Sequence, residues 1–428
     1  MQLLYKIPSP ATARNQTSRA RTAITAFFAM DGFVFASWAV RIPAVKAAVG
    51  ASPATLGIAL LGVSAGAIAT MALTGVLCRR FGSARVIVIA AAWLSLALLL
   101  PALARSAVTL GLGLAVFGIG YGGLNVAMNS LAVDLVAVLR RPVMPSFHAA
   151  WSLGGLAGAA LGGLAAPSLT PLAHFSLVCL LGLTATAGFG RIILTTPLPA
   201  AHAESAGSAP PAAGPAGTAA EGIAEGIKDS RPNGGGLHPA APAAQARVWR
   251  TVLLLGVIAL CSTYGEGAVS DWGALHLRED LGAAPGLAAA GYAAFALAEA
   301  CGRLAGSTLL ARLGQTRVLV YGGLVTGAGM IAAALSSVLP LALVGFALAG
   351  LGVANAFPTA MARVGILAGP NGVATASTLG YAGFLLGPPA IGFLASAVSL
   401  RVALTTVCLL AIVAVALARA ASPARETG

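Results

Sequence analysis

Long runs of apolar residues recur along this 428-residue chain, and most of them end at a proline, a glycine or a group of arginines. About 20 apolar residues are enough for an α-helix to cross a hydrocarbon core of about 30 Å. The pattern therefore predicts twelve membrane-spanning helices in two groups of six. The first group is expected at 22–42, 54–78, 85–104, 108–137, 146–167 and 171–193, and the second at 248–275, 286–310, 317–337, 340–366, 372–396 and 399–420.

The segment between the two groups differs in kind. Residues 194–247 are rich in Ala, Pro, Gly and Ser, a composition typical of a flexible linker. The predicted organisation has five parts, which are an N-terminal tail at 1–21, a six-helix bundle at 22–193, the linker at 194–247, a second six-helix bundle at 248–420 and a C-terminal tail at 421–428.

Composition and charge support an all-α polytopic membrane protein. The chain is 58% hydrophobic and only 9% charged, with a mean hydropathy of +0.90, whereas soluble domains carry roughly 25% charged residues. The net charge of +13 does not indicate a nucleic-acid partner, since the basic residues form short clusters between apolar runs. Basic residues accumulate in cytoplasmic loops, which places both tails and the linker in the cytoplasm and the chain in a bacterial-type inner membrane. The outer side then holds Arg41, Lys46, Arg105, Arg278 and Arg401.

The two groups of spans repeat each other. The run RFGSAR at 80–85 resembles RLGQTR at 312–317, which lies 232 residues further along the chain. The same offset relates GIG at 118–120 to GLG at 350–352. Parallel six-span halves joined by a long linker are typical of secondary transporters, whose solute site lies near the middle of the membrane.

The loop between the second and third spans carries a recognisable pattern. Its G-x-L-x-x-R-x-G-x-x-R spacing is formed by Gly75, Leu77, Arg80, Gly82 and Arg85. The chain here resembles transporters of the major facilitator superfamily, although the usual Asp of that loop is missing and Cys78 and Arg79 occupy the region. The resemblance implies gating roles for Gly75, Arg80, Gly82 and Arg85, and the repeat extends them to Gly314 and Arg317.

The same loop has a purely physical explanation. Gly82 and Gly314 suit a tight turn that requires a positive φ. The arginines can bond carbonyls at a helix C-terminus and follow the positive-inside bias. Both interpretations, gate and topology signal, stay open at this point.

Three further motifs indicate a subgroup. They are Asp31-Gly32-x5-Trp38-x2-Arg41-Ile42-Pro43 in the first span, Asn125-Val126-Ala127-Met128-Asn129 in the fourth and Ser146-Phe147-His148-x2-Trp151-Ser152 in the fifth. Together they are similar to the sugar transporters of the fucose-permease-like branch. In those relatives a first-span Asp and a fourth-span acid serve proton and sugar. Asp31 matches the first role, and Asn125 or Asn129 stands where the second acid is expected.

Acidic residues inside apolar runs are functional candidates because a charge in hydrocarbon is costly. The chain has five, which are Asp31, Asp134, Glu266, Asp271 and Glu299. We predict proton coupling at Asp31, near the middle of its span, and at Glu266. The alternative for Asp31 is a structural acid paired with an arginine or an amide. Asp134 is expected to form an ion pair with Arg140 or Arg141 at the cytoplasmic end.

The predicted solute site combines amides and aromatic rings. Asn125 and Asn129 lie one helical turn apart, and paired amides suit hydroxyl-bearing ligands because they donate and accept; bonding between helices is the alternative. Trp38 either stacks on a sugar ring or anchors at the membrane interface. The predicted substrate-binding set is Trp38, Asn125, Asn129, His148, Trp151 and Glu299, and the gating set gains Arg41, Asp271 and Arg303. Glu299 and Arg303 are four residues apart, so a purely structural pair is the alternative there.

No enzyme signature is found, neither a Walker loop nor a nucleotide fingerprint nor a Ser-His-Asp order, and no cofactor or metal is expected. The leading hypothesis is a monomeric symporter that takes protons and a small polar solute, with sugars first among the candidates. One alternative is proton-coupled efflux of amphipathic drugs, because residues 158–163 resemble the fifth-span motif of drug antiporters with Ala in place of its Pro. The other is a non-transporting receptor or scaffold.

Overall fold

The computed structural model describes residues 10–139, 143–196 and 242–421. Most of the predicted linker at 194–247 lies outside these ranges, as do residues 1–9 and 422–428. Arg140 and Arg141, the predicted partners of Asp134, also lie outside them.

The regular elements within the described ranges are helices. Those of the first half are α1 (Pro10–Ala39), α2 (Ile42–Val49), α3 (Pro53–Phe81), α4 (Ser83–Ala97), α5 (Leu100–Leu103), α6 (Ala107–Leu139), α7 (Met144–Ala165) and α8 (Pro171–Thr195). Those of the second half are α9 (Pro242–Ala268), a π-helical turn (Val269–Gly273), α10 (Ala274–Glu279), α11 (Pro285–Leu313), α12 (Gln315–Leu335), α13 (Leu339–Val353), α14 (Ala356–Ala397) and α15 (Leu400–Ala420).

Ten stretches of the described chain are long and apolar enough to cross a membrane. The other two predicted spans are α7 and α11, which are 22 and 29 residues long but interrupt their apolar residues with glycines and polar side chains. These two helices pack against each other, and each also packs against its own half. The two least apolar predicted spans thus lie between the halves, where they meet protein on more than one side. The predicted boundary between the tenth and eleventh spans, at 367–371, is not a break in the helix, because α14 runs unbroken from Ala356 to Ala397 and the tenth span is interrupted at 354–355 instead.

The internal repeat is visible in the helix boundaries. Helices begin 232 residues apart at Pro53 and Pro285, at Ser83 and Gln315, and at Ala107 and Leu339. Gly82 and Gly314 have φ of 86° and 77°, which confirms the turn predicted from their position. A second pair at the same offset, Gly50 and Gly282, has φ of 63° and 67°. Only residues without a Cβ adopt these conformations without strain, so both halves use the same turn chemistry.

Glycines bring α1 and α7 into backbone contact inside the first half. A Cβ added at Gly154 would lie 1.9 Å from the carbonyl oxygen of Ala29, and one at Gly32 would lie 2.1 Å from that of Trp151. Small residues permit such close approach between membrane helices. The glycine-rich fifth span is therefore accounted for here by packing. The same contact places Asp31 beside Trp151.

The two ends of the bundle differ. We call basic face the end that carries the loops at 80–85 and 312–317, and opposite face the other end. At the opposite face the halves touch, because Lys46 on α2 forms an ion pair with Glu279 on α10. In addition, the backbone N–H of Ala54 donates to the hydroxyl of Ser396 over 2.9 Å. The structure is thus closed between the halves at the opposite face.

The same closure is made by α7 and α11. A Cβ added at Gly286 would lie 2.9 Å from the carbonyl oxygen of Gly163, so the two backbones meet near the opposite face. Deeper in the bundle, the hydroxyl of Ser64 on α3 donates to the carbonyl of Phe384 on α14 over 3.4 Å. Contact between the halves therefore extends from the opposite face towards mid-depth.

Candidate functional site

Asp31 is fully buried in α1, with a relative exposure of 0%. One of its carboxylate oxygens, Oδ2, accepts a hydrogen bond of 2.9 Å from the indole N–H of Trp151 on α7. The other oxygen, Oδ1, is buried without a hydrogen-bond partner. Among the described residues no lysine, arginine or histidine lies within salt-bridge distance of this carboxylate. The alternative that Asp31 is a structural acid paired with an arginine is thus wrong for the part of the chain that the structure describes.

Aromatic rings surround this carboxylate. The ring of Phe35 lies 5.4 Å from that of Tyr121 on α6 and 6.4 Å from that of Trp151. Phe28, one turn before Asp31, meets the imidazole of His148 edge-on at 5.3 Å. The Nε2 atom of His148 is buried without a partner. His148 and Trp151, both predicted to bind solute, therefore lie on the side of α7 that packs on α1.

The predicted amide pair occurs on α6. The side-chain N–H of Asn129 donates to the backbone carbonyl of Asn125 over 2.8 Å and to its side-chain oxygen over 3.3 Å. Both bonds stay within α6. The amide oxygen of Asn129 is buried and unpaired, while Asn125 is half-buried. The shared helix face inferred from their spacing is confirmed.

Arg303 organises a second cluster of charges, in the other half. It donates to Glu299 over 2.7 Å and lies 3.8 Å from Glu266. The pairing of Glu299 with Arg303, inferred from their spacing, is confirmed. Glu299 has only 4% of its side chain exposed, whereas Glu266 has 19% and Arg303 has 29%. A single guanidinium thus serves two carboxylates, and part of it stays accessible.

Arg303 also reaches across to the first half. Its Nη1 donates to the hydroxyl of Ser152 on α7 over 3.4 Å. Tyr292, two turns before Glu299 on α11, lies within electrostatic range of Glu299, Glu266 and Arg303. The second cluster therefore meets the first half at α7, next to the residue that binds Asp31.

Sequence reasoning did not select Tyr121 or Tyr292, and it named Ser152 only as part of the fifth-span motif, without a binding role. Tyr121 lies one helical turn before Asn125, and Tyr292 lies on the helix of Glu299 and Arg303. Following the helical period outward from the selected residues would have found both tyrosines. The role of Ser152 has no local signal, because its partner Arg303 is 151 residues away.

Two predicted site residues of the first half lie apart from these clusters, and a third belongs to the second half, within electrostatic range of Tyr292. Trp38 is only 1% exposed and packs beside Phe175, 6.3 Å away, in the core of the first half. Arg41, just beyond α1, donates to the imidazole of His174 over 3.1 Å and to the carbonyl of Ala166 over 3.4 Å. Asp271 is half-buried in the π-helical turn. Insertions of this kind recur at functional sites, so Asp271 stays a gating prediction.

The predicted gating loops lie at the basic face. Arg85 donates to the carbonyl of Phe81 at the end of α3 over 3.3 Å, as expected for an arginine near a helix C-terminus. Arg80 lies over the ring of Phe81 at 5.3 Å. Arg317 and Gly314 occupy the matching turn of the second half, while Gly75 is buried within α3. Asp134 is exposed on α6. A gating role for these residues stays a prediction.

The side chains of the two clusters can bind protons and form hydrogen bonds. Within the described ranges no group of three or more His, Cys, Asp and Glu side chains is arranged to hold a metal ion. The two clusters consist of carboxylates, one guanidinium, amides, phenols and indole. Such groups recognise a polar solute and exchange protons.

Comparisons with known proteins agree with this architecture. The chain matches the family model of the Major Facilitator Superfamily over residues 22–379 and 255–428. It is 34% identical over 419 residues to an uncharacterized MFS-type transporter of Yersinia pestis, covering 97% of this chain and 98% of that protein. An uncharacterized transporter of Sinorhizobium fredii is 32% identical over 399 residues, covering 92% and 96%.

Solved structures share the fold. A bacterial homolog of the human lysosomal transporter Spinster, in an inward-facing and unoccupied conformation, superposes with a TM-score of 0.72 at 16% identity, covering 97% of this chain and 98% of that one. The E. coli fucose:proton symporter FucP superposes with a TM-score of 0.59 at 16% identity, covering 94% and 98%. At these identities the likeness concerns the fold alone.

Proposed function

Because the chain belongs to the Major Facilitator Superfamily of transporters, we propose that it couples the movement of a small polar solute to that of protons by alternating access. The two six-helix halves rock about the clusters centred on Asp31 and Arg303. The solute enters between the halves, where both clusters are within its reach.

The observation that carries the proton coupling is the unpaired oxygen of Asp31. A charge buried without a partner costs several kcal/mol, and proton uptake removes that charge. Glu266 and Glu299 differ, because Arg303 compensates them. Asp31 is therefore our first site for the coupled proton. Glu266, whose contact with Arg303 is long at 3.8 Å, is the second.

The side chains near the clusters support a hydroxyl-bearing solute. Asn125 and Asn129 both donate and accept, and Tyr121 and Tyr292 add phenol groups. Aromatic faces such as those of Phe35 and Trp151 suit the apolar face of a sugar ring. The fucose:proton symporter with the same fold is a precedent for this combination of cargo and coupling ion. Sugars and related polyols are thus the proposed cargo.

Orientation follows from the basic residues. Arg79, Arg80, Arg85, Arg312 and Arg317 gather at the basic face, and such residues accumulate on the cytoplasmic side. We therefore assign the basic face to the cytoplasm of a bacterial inner membrane. Since the halves are closed at the opposite face, we propose that the conformation described here is closed to the outside and that its solute site opens towards the cytoplasm.

The test uses purified protein in liposomes that contain a pH-sensitive dye. Monosaccharides, polyols and nucleosides are added one at a time outside, and proton movement is recorded with each. We expect one class of solute to drive proton entry, and Asp31→Asn to lower that proton movement about tenfold or more, since loss of one coupling group removes several kcal/mol of driving interaction. Asp134→Asn is the matched control, because Asp134 is exposed and its loss leaves the coupling intact.

Three results would contradict the proposal. Solute uptake without proton movement, unchanged in Asp31→Asn, would exclude coupling at Asp31. Proton movement driven only by amphipathic cations would favour drug efflux. Tight solute binding without flux would indicate a receptor.

A further inference from the structure

Two neighbouring residues of α7 bond in different directions. Trp151 donates to Asp31 on α1, within the first half, over 2.9 Å. Ser152 accepts from Arg303 on α11, in the second half, over 3.4 Å. Successive residues of a helix project about 100° apart, and α7 lies between α1 and α11. The two clusters are therefore joined through a single peptide unit.

We infer that Trp151 and Ser152 are positioning residues that connect Asp31 to the Arg303 cluster, so that proton binding at Asp31 controls closure between the two halves. This inference rests on the proposed proton coupling. It adds a physical route between the proton site in one half and the charged cluster in the other.

The first step of the route is the bond of Trp151. While Asp31 is ionised, its hydrogen bond with the indole N–H is charge-assisted and strong. A proton on Asp31 removes that charge and weakens the bond. The indole of Trp151 is then held less strongly against α1.

The second step is rigid transmission along α7. The backbones of α1 and α7 touch at Gly32, Gly154 and Gly158, so at these three points no side chain lies between the two backbones to absorb a displacement. Packed interiors of this kind pass from one arrangement to another instead of deforming continuously. A displacement of α7 at Trp151 therefore also displaces Ser152.

The third step is the contact between the halves. At 3.4 Å the bond from Arg303 to Ser152 is long, whereas that to Glu299 is 2.7 Å. The bond to Ser152 is therefore the weaker one and breaks first. Arg303 is then free to approach Glu266, which lies 3.8 Å away. Release of Ser152 and compensation of Glu266 occur together.

Other ionisable groups lie near Asp31 and enter the test. On the elements around it these are His148 on α7, Tyr121 on α6, Asp271 on the π-helical turn, and Tyr292, Glu266 and Tyr381 in the second half. The helices α8 and α4 present Thr186 and Ser95 near Met30, and neither of these side chains titrates in the range used below. His148 is the alternative sensor, since free imidazole titrates near neutral pH.

The experiment needs no known solute. Full-length protein in lipid nanodiscs is followed by hydrogen–deuterium exchange between about pH 5.5 and 8.5, the range in which an imidazole or a buried carboxyl changes charge. Exchange is corrected for its intrinsic pH dependence. The readout is exchange in α2 (Ile42–Val49) and α10 (Ala274–Glu279), which meet where the halves close.

Four single variants and one double variant define the result. We expect wild-type exchange in α2 and α10 to change with pH, and Asp31→Asn to abolish that change. Ser152→Ala and Trp151→Phe are expected to reduce the pH-dependent change in exchange about fivefold, the effect of losing one hydrogen bond. Ser152→Thr, which keeps a hydroxyl at this position, is expected to show the wild-type change. Combining Ser152→Ala with Asp31→Asn adds nothing further, because both act on one route.

Matched controls come from the same half. Ser95→Ala removes a hydroxyl that bonds only to the carbonyl of Ala91 in its own helix in the contacts seen here. Trp93→Phe removes an indole N–H that donates to the carbonyl of Val116 over 2.9 Å. Both controls are expected to keep the wild-type pH response.

The outcomes separate the inference from the proposed function. If Asp31→Asn abolishes the pH response while Ser152→Ala and Trp151→Phe keep it, the route through α7 is wrong and proton coupling stands. If the wild type shows no pH response, both proton coupling at Asp31 and the route fail. If His148→Gln abolishes the response and Asp31→Asn does not, the sensor is His148 and the inference is overturned.

Discussion

Lys46 and Glu279, 233 residues apart in sequence, form an ion pair that joins the two halves at the opposite face. Neither residue lies in a motif, and their helices α2 and α10 are short segments at the ends of the first and seventh spans. Glu279 keeps 44% of its side chain exposed and Lys46 keeps 12%. The pair is therefore a partly exposed ion pair of modest strength at the closed end of the molecule, and we call it the latch.

Removing this latch should favour opening of the opposite face. Lys46→Ala is expected to shift the balance between the two conformations by about 0.5–1 kcal/mol, since partly exposed ion pairs are worth little more. Distances between spin labels placed at the exposed positions Ser106 and Ser337 report that balance. The exchanged pair, Lys46→Glu with Glu279→Lys, should restore it. Equal distance distributions in Lys46→Ala and wild type would show that the latch does not hold the closed state.

Gly154 and Gly155 are neighbours with different surroundings. A Cβ at Gly154 would lie 1.9 Å from the carbonyl oxygen of Ala29, whereas one at Gly155 would first meet Gly32 at 3.7 Å. We expect Gly154→Ala to lower the free energy of unfolding by about 1–3 kcal/mol, because α1 and α7 must separate. Gly155→Ala should leave it unchanged or raise it slightly. Thermal unfolding in detergent compares the two variants, and equal melting temperatures would contradict the close contact of α1 with α7.

Arg303 and Glu299 offer a test of charge compensation. Arg303→Met leaves the buried carboxylate of Glu299 without its partner, and breaking a buried pair in this way costs about 3–5 kcal/mol. The double variant with Glu299→Gln should recover much of that loss, because it removes the orphaned charge. Thermal unfolding at neutral pH measures both. Equal melting temperatures for the single and the double variant would show that Glu299 does not depend on Arg303.

Features that depend on a short stretch of chain were predictable. The length of an apolar run decides whether a helix crosses the membrane, so most of the predicted spans coincide with a long helix, although α1 begins twelve residues before the predicted start and α14 crosses the predicted boundary between the tenth and eleventh spans. Gly82 and Gly314 were expected to have positive φ because the turn itself requires it. Glu299 and Arg303 pair because four residues make one helical turn.

Contacts between helices could not be predicted from the sequence. In lipid the apolar pattern of a span says little about which way the helix is rotated, since the surroundings are as apolar as the core. Trp38 illustrates the point, because its motif suggested a ligand or the membrane interface, whereas its ring lies buried beside Phe175. Ser152 is the reverse case, because its motif indicated no partner for it, whereas its hydroxyl accepts a hydrogen bond from Arg303 of the other half.

The amino-acid sequence by itself determined the number of spans, their division into two repeated halves, and the acids and amides submerged in them, because each of these depends on hydropathy and spacing along one segment. Tertiary structure decided that Asp31 binds Trp151, that Arg303 also reaches Glu266 and Ser152, and that the halves close at Lys46 and Glu279. Those pairings join residues more than a hundred positions apart or on separate helices. They arise only when helix packing sets rotation and depth.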